Sequence, residues 1–264
     1  MPVSYDSLRL ERREDLLFVT LDNPSRANAL SPLMVGELAA VYGRDWRTDG
    51  VRAILLAGEG KHFSAGADLA HLESLREATA EQNLEEADKL RQLFESILRQ
   101  EALTVAAVQG ACVAGGCGLA TANDFVVAAE GSRFMYSEVR IGFVAALVAT
   151  YLPLRLRGTD LREVLLNPEF LSAERALEIG LVNRVVPADR LAEEAEALAS
   201  GILERASSES IARTKRLLLE LYGRELGDAF QRAARANAEA RSTDDCRRGV
   251  SAFLETKSTP DWRS

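Results

Sequence analysis

A glycine-rich stretch from Val108 to Ala120, VQGACVAGGCGLA, is the feature that most constrains this chain. The apolar run Val105–Val108 leads into it, as a buried strand would, and an apolar helix follows it. Gly115 and Gly116 allow a close backbone approach that side chains would block. At a helix start the backbone N–H groups lack acceptors and carry the positive end of the helix dipole. The stretch therefore predicts either a site for negative charge, a bound anion or an oxyanion formed during reaction, or simply tight helix packing.

A second turn of small residues lies at 63–69, FSAGADL, and follows an apolar strand. Asp68 is in position to cap the helix that comes next. The residues between the two turns leave room for a helix, so the turns can meet in space. Each turn could then direct one backbone N–H at a common point, an arrangement that polarises a carbonyl group.

Composition bounds the class of protein. The length of 264 residues fits one large domain, or a domain with an appendage, and the net charge of −8 argues against a general nucleic-acid binder. No run of about eighteen apolar residues predicts a membrane span, and the charged N-terminus has no apolar signal core. Three cysteines give no paired framework, so we expect a reducing, cytoplasmic location. Two histidines without CxxC or HExxH spacing predict no metal site.

Strands alternate with helices over residues 1–190, which predicts an α/β architecture with crossover connections. We expect strands or extended segments at Tyr5–Leu10, Leu16–Leu21, Val51–Ala57, Val105–Val108, Phe125–Ala129, Phe134–Glu138 and Leu181–Val186.

The helices divide into two groups. Ser31, followed by a proline, predicts a helix start in the first part of the chain. The charged region His71–Gln100 predicts a mobile lid or solvated helix, followed by a firm amphipathic helix. Beyond residue 190 the pattern is wholly helical, so residues 191–264 are interpreted as a helical region appended to a core at residues 1–190.

Six segments follow one another along almost the whole chain: LDNPSRANALSPLM, FSAGADL, VQGACVAGGCGLATANDFVVAA, FMYSEVRIGF, LSAERALEIGLVNRVVP and FLETKSTPDW. Taken together, they resemble the enoyl-CoA hydratase/isomerase (crotonase) family. The resemblance implies a spiral of ββα units, C-terminal helices that trimerise, and an acyl-CoA thioester as ligand, with no separate cofactor. It leads us to expect a homotrimer or a dimer of trimers.

The resemblance also implies which residues bind the ligand. The backbone N–H groups of Ala67 and Gly115 would form an oxyanion hole for the thioester oxygen, which agrees with the pattern of the two turns. The last helix would complete the site from this chain or from a neighbouring subunit. The implied contacts of the CoA portion are Arg26 with Ala27 near phosphate, Ala65, Asp68 and Leu69 around the adenine, and Phe253 and Lys257 in the last helix.

The acid–base groups depart from the family pattern. Two-base hydratases of this family hold one water between two glutamates. The later glutamate corresponds to Glu138, whereas the earlier position is Gly118, so one carboxylate is missing. If Gly118 leaves a gap there, a glutamate in its place should raise hydration. We expect the pKa of Glu138 to be raised beside an apolar acyl pocket.

One remaining acid leaves three hypotheses. Glu138 alone could orient water for hydration, and the resemblance links several such relatives to branched acyl groups. It could instead move a proton between carbons two and four of the acyl chain, which is Δ3-Δ2 isomerisation. The third hypothesis is an acyl-CoA binding protein with little activity. Glu138 could also be a surface carboxylate paired with Arg140, and a replacement acid could come from His71, Glu73 or Glu77, although a solvated helix face suits these three better.

Overall fold

Two β-sheets organise the fold in the computed structural model, which describes residues 5–75, 77–222, 226–260 and 262. The large sheet has the order β1-β2-β3-β4-β6-β9, parallel except for the antiparallel pair β1–β2. The small sheet has the order β5-β7-β8. The strands are β1 Leu8–Arg13, β2 Leu16–Leu21, β3 Ala53–Gly58, β4 Leu103–Val108, β5 Ala111–Val113, β6 Phe125–Ala129, β7 Arg133–Met135, β8 Leu171–Ser172 and β9 Arg184–Val186.

Ten α-helices surround these sheets in the described part of the chain. None of them is both long enough and apolar enough to cross a membrane. They are α1 Pro32–Gly43, α2 Leu69–Ser74, α3 Ala80–Arg99, α4 Gly115–Thr121, α5 Gly158–Leu166, α6 Ala173–Glu178, α7 Leu191–Leu203, α8 Ser208–Tyr222, α9 Leu226–Arg241 and α10 Asp244–Thr256.

Three times in succession, the chain passes through a strand of the large sheet and then through a short extended segment in or beside the small sheet. β3 leads to Ser64, which bridges Cys112 of β5; β4 leads to β5 itself, and β6 leads to β7 beside β5. The chain then enters α2, α4 and a 3-10 helix, Glu138–Ile141, respectively. This stacking brings the first turn (residues 64–68) and the second turn (residues 113–116) close to Glu138. The predicted α/β architecture is confirmed.

Helices cover both faces of the large sheet. On one face, α7 packs against β3, β4 and β6, and it buries Leu198 with Val105 and Val127. On the other face, a second buried cluster includes Leu38 of α1 and Phe94 of α3. Parallel strands buried on both faces explain the continuous apolar runs in the sequence.

Several predicted strand bounds are wrong. The first strand is Leu8–Arg13 rather than Tyr5–Leu10, because Arg13 pairs with Leu16 and the hairpin closes on two residues. Its charged side chains stay on the exposed side, where Glu11 pairs with Arg13. The final predicted strand is shorter than expected, and β5 was not predicted at all. The predicted segment Phe134–Glu138 ends as a strand at Met135.

The charged region after the first turn is not one solvated helix: one helix ends in it and a second helix begins. α2 ends at Ser74, and α3 begins at Ala80. Thr79 and Gln82 form a capping box there, in which each side chain bonds the backbone N–H of the other residue. Local capping therefore fixes the start of the amphipathic helix. Arg76 lies outside the described residues.

Candidate active site

A cavity of about 600 Å³ opens between the two turns, the 3-10 helix of Glu138 and α10. Apolar side chains of α3 and of residues 143–148 line much of it. Of the residues that the sequence predicts for the site, Ala27 and Gly118 are not in the lining. The others all line it: Arg26, Ala65, Ala67, Asp68, Leu69, Gly115, Glu138, Phe253 and Lys257.

The two turns are in direct backbone contact. Gly66 has φ +82°, and a Cβ atom there would lie 2.5 Å from the Val113 carbonyl oxygen and 3.2 Å from the Gly115 nitrogen. A Cβ atom on Gly115 would lie 3.9 Å from the Ala67 nitrogen. Only glycine at position 66 permits both this conformation and this approach. The contact places the backbone nitrogens of Ala67 and Gly115 on the same cavity.

Those two backbone N–H groups have no hydrogen-bond acceptor among the described residues. Gly115 is the first residue of α4, where helix geometry leaves the N–H unpaired. Ala114, just before it, adopts φ +48° and is held by its own N–H bond to the Met135 carbonyl at 2.7 Å. An alanine in that conformation is strained, and such strain is concentrated at functional sites. The pair can therefore donate two hydrogen bonds to one oxygen atom in the cavity.

The loop before α1, residues 27–30, supports the first turn. The Ala65 N–H donates to the Ala27 carbonyl at 2.8 Å, and the Leu30 N–H donates to the Gly66 carbonyl at 2.8 Å. Asn28, fully buried, donates through Nδ2 to the Phe63 carbonyl at 3.1 Å. Ala27 thus holds the turn instead of lining the cavity. The only sequence signal for Asn28 was its place inside the motif that carries the family resemblance.

Glu138 is the carboxylate whose environment is most unusual. Glu138 is 8% exposed, and its Oε2 atom is buried without a hydrogen-bond partner among the described residues. Burial raises the pKa of Glu138 to about 7, against a smaller lowering effect of its own backbone N–H. A carboxylate with this pKa can accept and return a proton near neutral pH.

The backbone around Glu138 is packed closely against α10. A Cβ atom on Gly142, which ends the 3-10 helix, would lie 2.6 Å from the Asp245 carbonyl oxygen. A Cβ atom on Gly249 would overlap the backbone of Ile141. The Phe143 N–H also donates to the Glu138 carbonyl at 2.9 Å. The last helix therefore fixes the segment that carries the carboxylate.

The other charged groups considered from sequence do not compete with Glu138. Arg140 forms no ion pair with it within the described ranges; the Arg140 Nη1 atom contacts Met135 Sδ at 3.6 Å. The other acid in the cavity lining, Asp68, caps α2 and pairs with Arg26 at 2.7 Å. His71 Nε2 contacts Glu86 Oε2 at 3.2 Å, outside the cavity lining.

Two further observations concern the other acidic side chains and possible metal ligands. Glu73 and Glu77 are not among the residues that line the cavity. No group of three His, Cys, Asp or Glu side chains in the described ranges is placed to hold a metal ion. Glu138 is therefore the candidate base that the geometry supports best.

Gly118 leaves no gap, so the condition under which a glutamate there was expected to raise hydration is not met. A Cβ atom would lie 2.6 Å from Val148 Cγ1, 2.8 Å from Phe94 Cζ and 3.2 Å from the Tyr151 hydroxyl. Tyr151 also donates to the Gly118 carbonyl at 2.8 Å. Buried aromatic packing therefore occupies the position where a second carboxylate would stand.

We expect Gly118→Ala to destabilise the protein by about 1–3 kcal/mol, because overpacking outweighs a helix-propensity gain of about 1 kcal/mol. Gly36 in α1 is a matched control, since a Cβ atom there meets nothing within 4 Å. Gly36→Ala should be neutral or stabilising. Urea unfolding of both variants measures the difference, and a Gly118→Ala variant as stable as wild type would contradict the crowding.

The buried Glu138 also predicts a pH-dependent stability. Its folded pKa of about 7 lies above the ordinary 4.5, so the folded state holds the proton more tightly. The resulting stabilisation is complete below pH 4.5 and is lost as pH rises to about 7, a change of about 3 kcal/mol. Glu138→Gln, which stays neutral, should remove that dependence. Unfolding free energies measured from pH 5 to pH 8 would refute this if the two proteins gave parallel curves.

Known proteins are similar to this chain in both sequence and fold. Residues 11–264 match the family model described as Enoyl-CoA hydratase/isomerase. A Thermus thermophilus protein assigned as an enoyl-CoA hydratase is 44% identical over 239 residues, 90% of this chain and 94% of that protein. A crotonyl-CoA hydratase of Syntrophomonas wolfei is 29% identical over 97% of both chains. The crystal structure of an enoyl-CoA hydratase/isomerase from Xanthobacter autotrophicus Py2 superposes with a TM-score of 0.85 at 29% identity, covering 96% of this chain and 94% of that one.

Proposed function

The chain belongs to the enoyl-CoA hydratase/isomerase family, and on that premise we propose that it hydrates 2-enoyl-CoA thioesters in the cavity described above. One observation carries the proposal. The buried, unpartnered carboxylate of Glu138 lines the same cavity as the two backbone N–H groups that have no acceptor. Glu138 would be the single base, and the N–H groups of Ala67 and Gly115 would be the oxyanion donors.

The proposed reaction needs one carboxylate to act twice. Ionised Glu138 takes a proton from water as the water oxygen bonds to carbon three of the enoyl group. The electron pair of the double bond moves toward the thioester, and negative charge develops on the thioester oxygen. Protonated Glu138 then gives its proton to carbon two, which restores the thioester carbonyl and the carboxylate. The two donors stabilise the enolate-like transition state more than the ground state, which is what accelerates the reaction.

The second candidate is Δ3-Δ2 isomerisation, and the filled site at Gly118 favours it. A single base suffices for that reaction: Glu138 removes a proton from carbon two and returns it to carbon four. Phe94, Val148 and Tyr151 leave no place for a second carboxylate to hold water. Branched acyl groups and a weakly active acyl-CoA binder remain further alternatives.

The CoA portion would lie at the open side of the cavity. We propose that Arg26, whose side chain is 60% exposed, meets a phosphate together with Lys257. Ala65, Asp68 and Leu69 would border the adenine. The chain's own α10 supplies Phe253, and the Lys257 Nζ atom lies 6.0 Å from the Phe253 ring centroid. CoA is part of the substrate, so the chemistry requires no separate cofactor.

A substrate panel tests the function directly. Straight and branched 2-enoyl-CoA and 3-enoyl-CoA thioesters would be incubated with the protein, and the products identified by mass and chromatography. A water adduct supports hydration, whereas an unchanged mass with a moved double bond supports isomerisation. Tight binding of every thioester without any turnover would overturn both and support a binding protein.

We propose a homotrimer or a dimer of trimers, because α8 exposes leucines that a single chain leaves uncovered. Leu217, Leu218 and Leu221 are 51%, 47% and 66% exposed. Such a patch usually marks an interface, and closed symmetry is the usual result. We expect sedimentation to show the trimer at micromolar concentration and Leu218→Glu to weaken it. A monomeric wild-type protein under those conditions would contradict the proposal.

A cytoplasmic location suits the chemistry of the cysteines. All three, Cys112, Cys117 and Cys246, are buried and unpaired. Unpaired thiols are typical of reducing compartments. We therefore propose that the enzyme works in the cytoplasm.

A further inference from the structure

Asn237 is a polar residue on α9 that lines the cavity and leaves its hydrogen-bonding capacity unused. It is 4% exposed, and its Oδ1 atom is buried without a partner. Within the described ranges, no donor forms a hydrogen bond with this oxygen. Buried amides are almost always hydrogen-bonded, so this one is suited to a partner that enters the cavity.

The position of α9 shows which part of the ligand Asn237 would meet. The helix packs along α3, whose Leu90 and Phe94 line the cavity, and against the 3-10 helix Val148–Thr150. The residues that these neighbours contribute to the lining, Leu90, Phe94 and Val148, are apolar and suit an acyl chain. Asn237 therefore places an amide among side chains that would otherwise suit a plain hydrocarbon.

A second unpartnered group lies one helical turn further along α9. The Arg241 Nε atom is buried and has no partner in the described part of the chain, while Nη1 donates to the Asn83 carbonyl at 3.3 Å. The guanidinium lies 5.8 Å from the ring centroid of Phe143, a residue of the cavity lining. Arg241 itself lines a smaller adjoining cavity, together with Glu86. The α9 side thus carries polar groups in this region, and the Glu86 carboxylate attracts the Arg241 cation.

We propose that the acyl group of the natural substrate carries a hydroxyl substituent, which donates to Asn237 Oδ1 and accepts from Nδ2. The proposal rests on the function proposed above, because it places an acyl chain in this cavity. A hydroxyl matches a neutral amide that offers one acceptor and donors side by side. A carboxylate would instead need a cation at Asn237, and Arg241, one turn along α9, shares the smaller cavity with Glu86.

Matched pairs of substrates test this. Each pair is a 2-enoyl-CoA ending in a methyl group and the same thioester ending in a hydroxymethyl group, from butenoyl to octenoyl length. In wild type, kcat/KM should favour the hydroxylated member by about tenfold or more at the length that reaches Asn237, because the plain member leaves a buried polar group unpaired. Asn237→Leu, similar in size but apolar, should reduce that ratio to about one. Equal losses for both members would indicate a structural role and overturn the proposal.

Binding measurements separate this proposal from the proposed reaction. Dissociation constants of both members for Glu138→Gln, measured by calorimetry, need no turnover. A preference for the hydroxylated member in binding, with no hydration or isomerisation of any thioester by wild type, would overturn the reaction and support the role of Asn237. No preference at any length, in binding or in rate, would overturn the role of Asn237. So would a stronger preference for carboxylate-tipped thioesters of the same lengths.

Discussion

Replacing Glu138 with glutamine should lower kcat by about 10²–10⁴, the usual contribution of general acid–base catalysis. Glutamine keeps the shape of the side chain but cannot accept and return a proton. Glu138 is buried and lies on the 3-10 helix Glu138–Ile141, whose backbone does not depend on the charge of this side chain. The variant should therefore keep the cavity and most of the affinity for acyl-CoA. No other carboxylate in the described lining is free to replace it, because Asp68 caps α2 and pairs with Arg26.

The pH profile gives an independent check. The base must be ionised, so kcat/KM of wild type should rise with pH through about 7, the value to which burial raises the pKa of Glu138. Glu138→Gln should lose that rise. Glu130→Gln is a matched control, because Glu130 is exposed and outside the cavity lining. Near-wild-type kcat in Glu138→Gln would end the single-base mechanism and direct attention to the His71–Glu86 pair.

Replacing Gly115 with proline should lower turnover by about 10²–10³, the cost measured for loss of one oxyanion donor elsewhere. Proline has no backbone N–H, and the first position of a helix is where proline is best tolerated. The variant therefore removes the proposed donor from α4 with the least damage to the helix. The loss should appear in kcat more than in acyl-CoA affinity, because the donor acts mainly in the transition state.

Gly115→Ala is the control for the added bulk. It keeps the N–H, and its Cβ atom would meet Leu30 Cδ1 at 3.3 Å, the end of a side chain that can move slightly. The alanine variant should therefore lose far less turnover than the proline variant. Sedimentation and circular dichroism would verify assembly and folding. A correctly assembled proline variant with activity near wild type would show that Gly115 is not a donor.

Local chemistry was predictable from the sequence where the partners are near in the chain. Asp68 caps α2 through bonds from the Ala70 and His71 N–H groups, and Ser31 caps α1 through the Met34 N–H. Both contacts span three residues or fewer, so a short pattern contains donor and acceptor together. Gly66 and Gly115 could be assigned to turns for a similar reason, because small residues between an apolar strand and a helix form a short, local pattern.

Contacts between distant segments were not predictable. The space at Gly118 is filled by Phe94, from an earlier helix, and by Val148 and Tyr151, from a later segment. No local sequence pattern indicates a contact between such distant residues. Asn237 reads as one more polar residue of a C-terminal helix, and only the packing of α9 on α3 places it on the cavity. β5 was missed because three residues are too few to show alternation.

The glycine contact between α10 and the segment of Glu138 also bears on how sequence change at the C-terminus can be tolerated. α10 touches that segment through Gly142 and Gly249, and further along it contributes Phe253 and Lys257 to the cavity. Shortening or repacking the final helix would therefore shift the carboxylate as well as the groups proposed for CoA. Variation that adapts α10 to a different ligand is therefore constrained by the packing of this helix against the segment of Glu138, so a change in α10 would affect the proposed chemistry as well as the proposed CoA contacts.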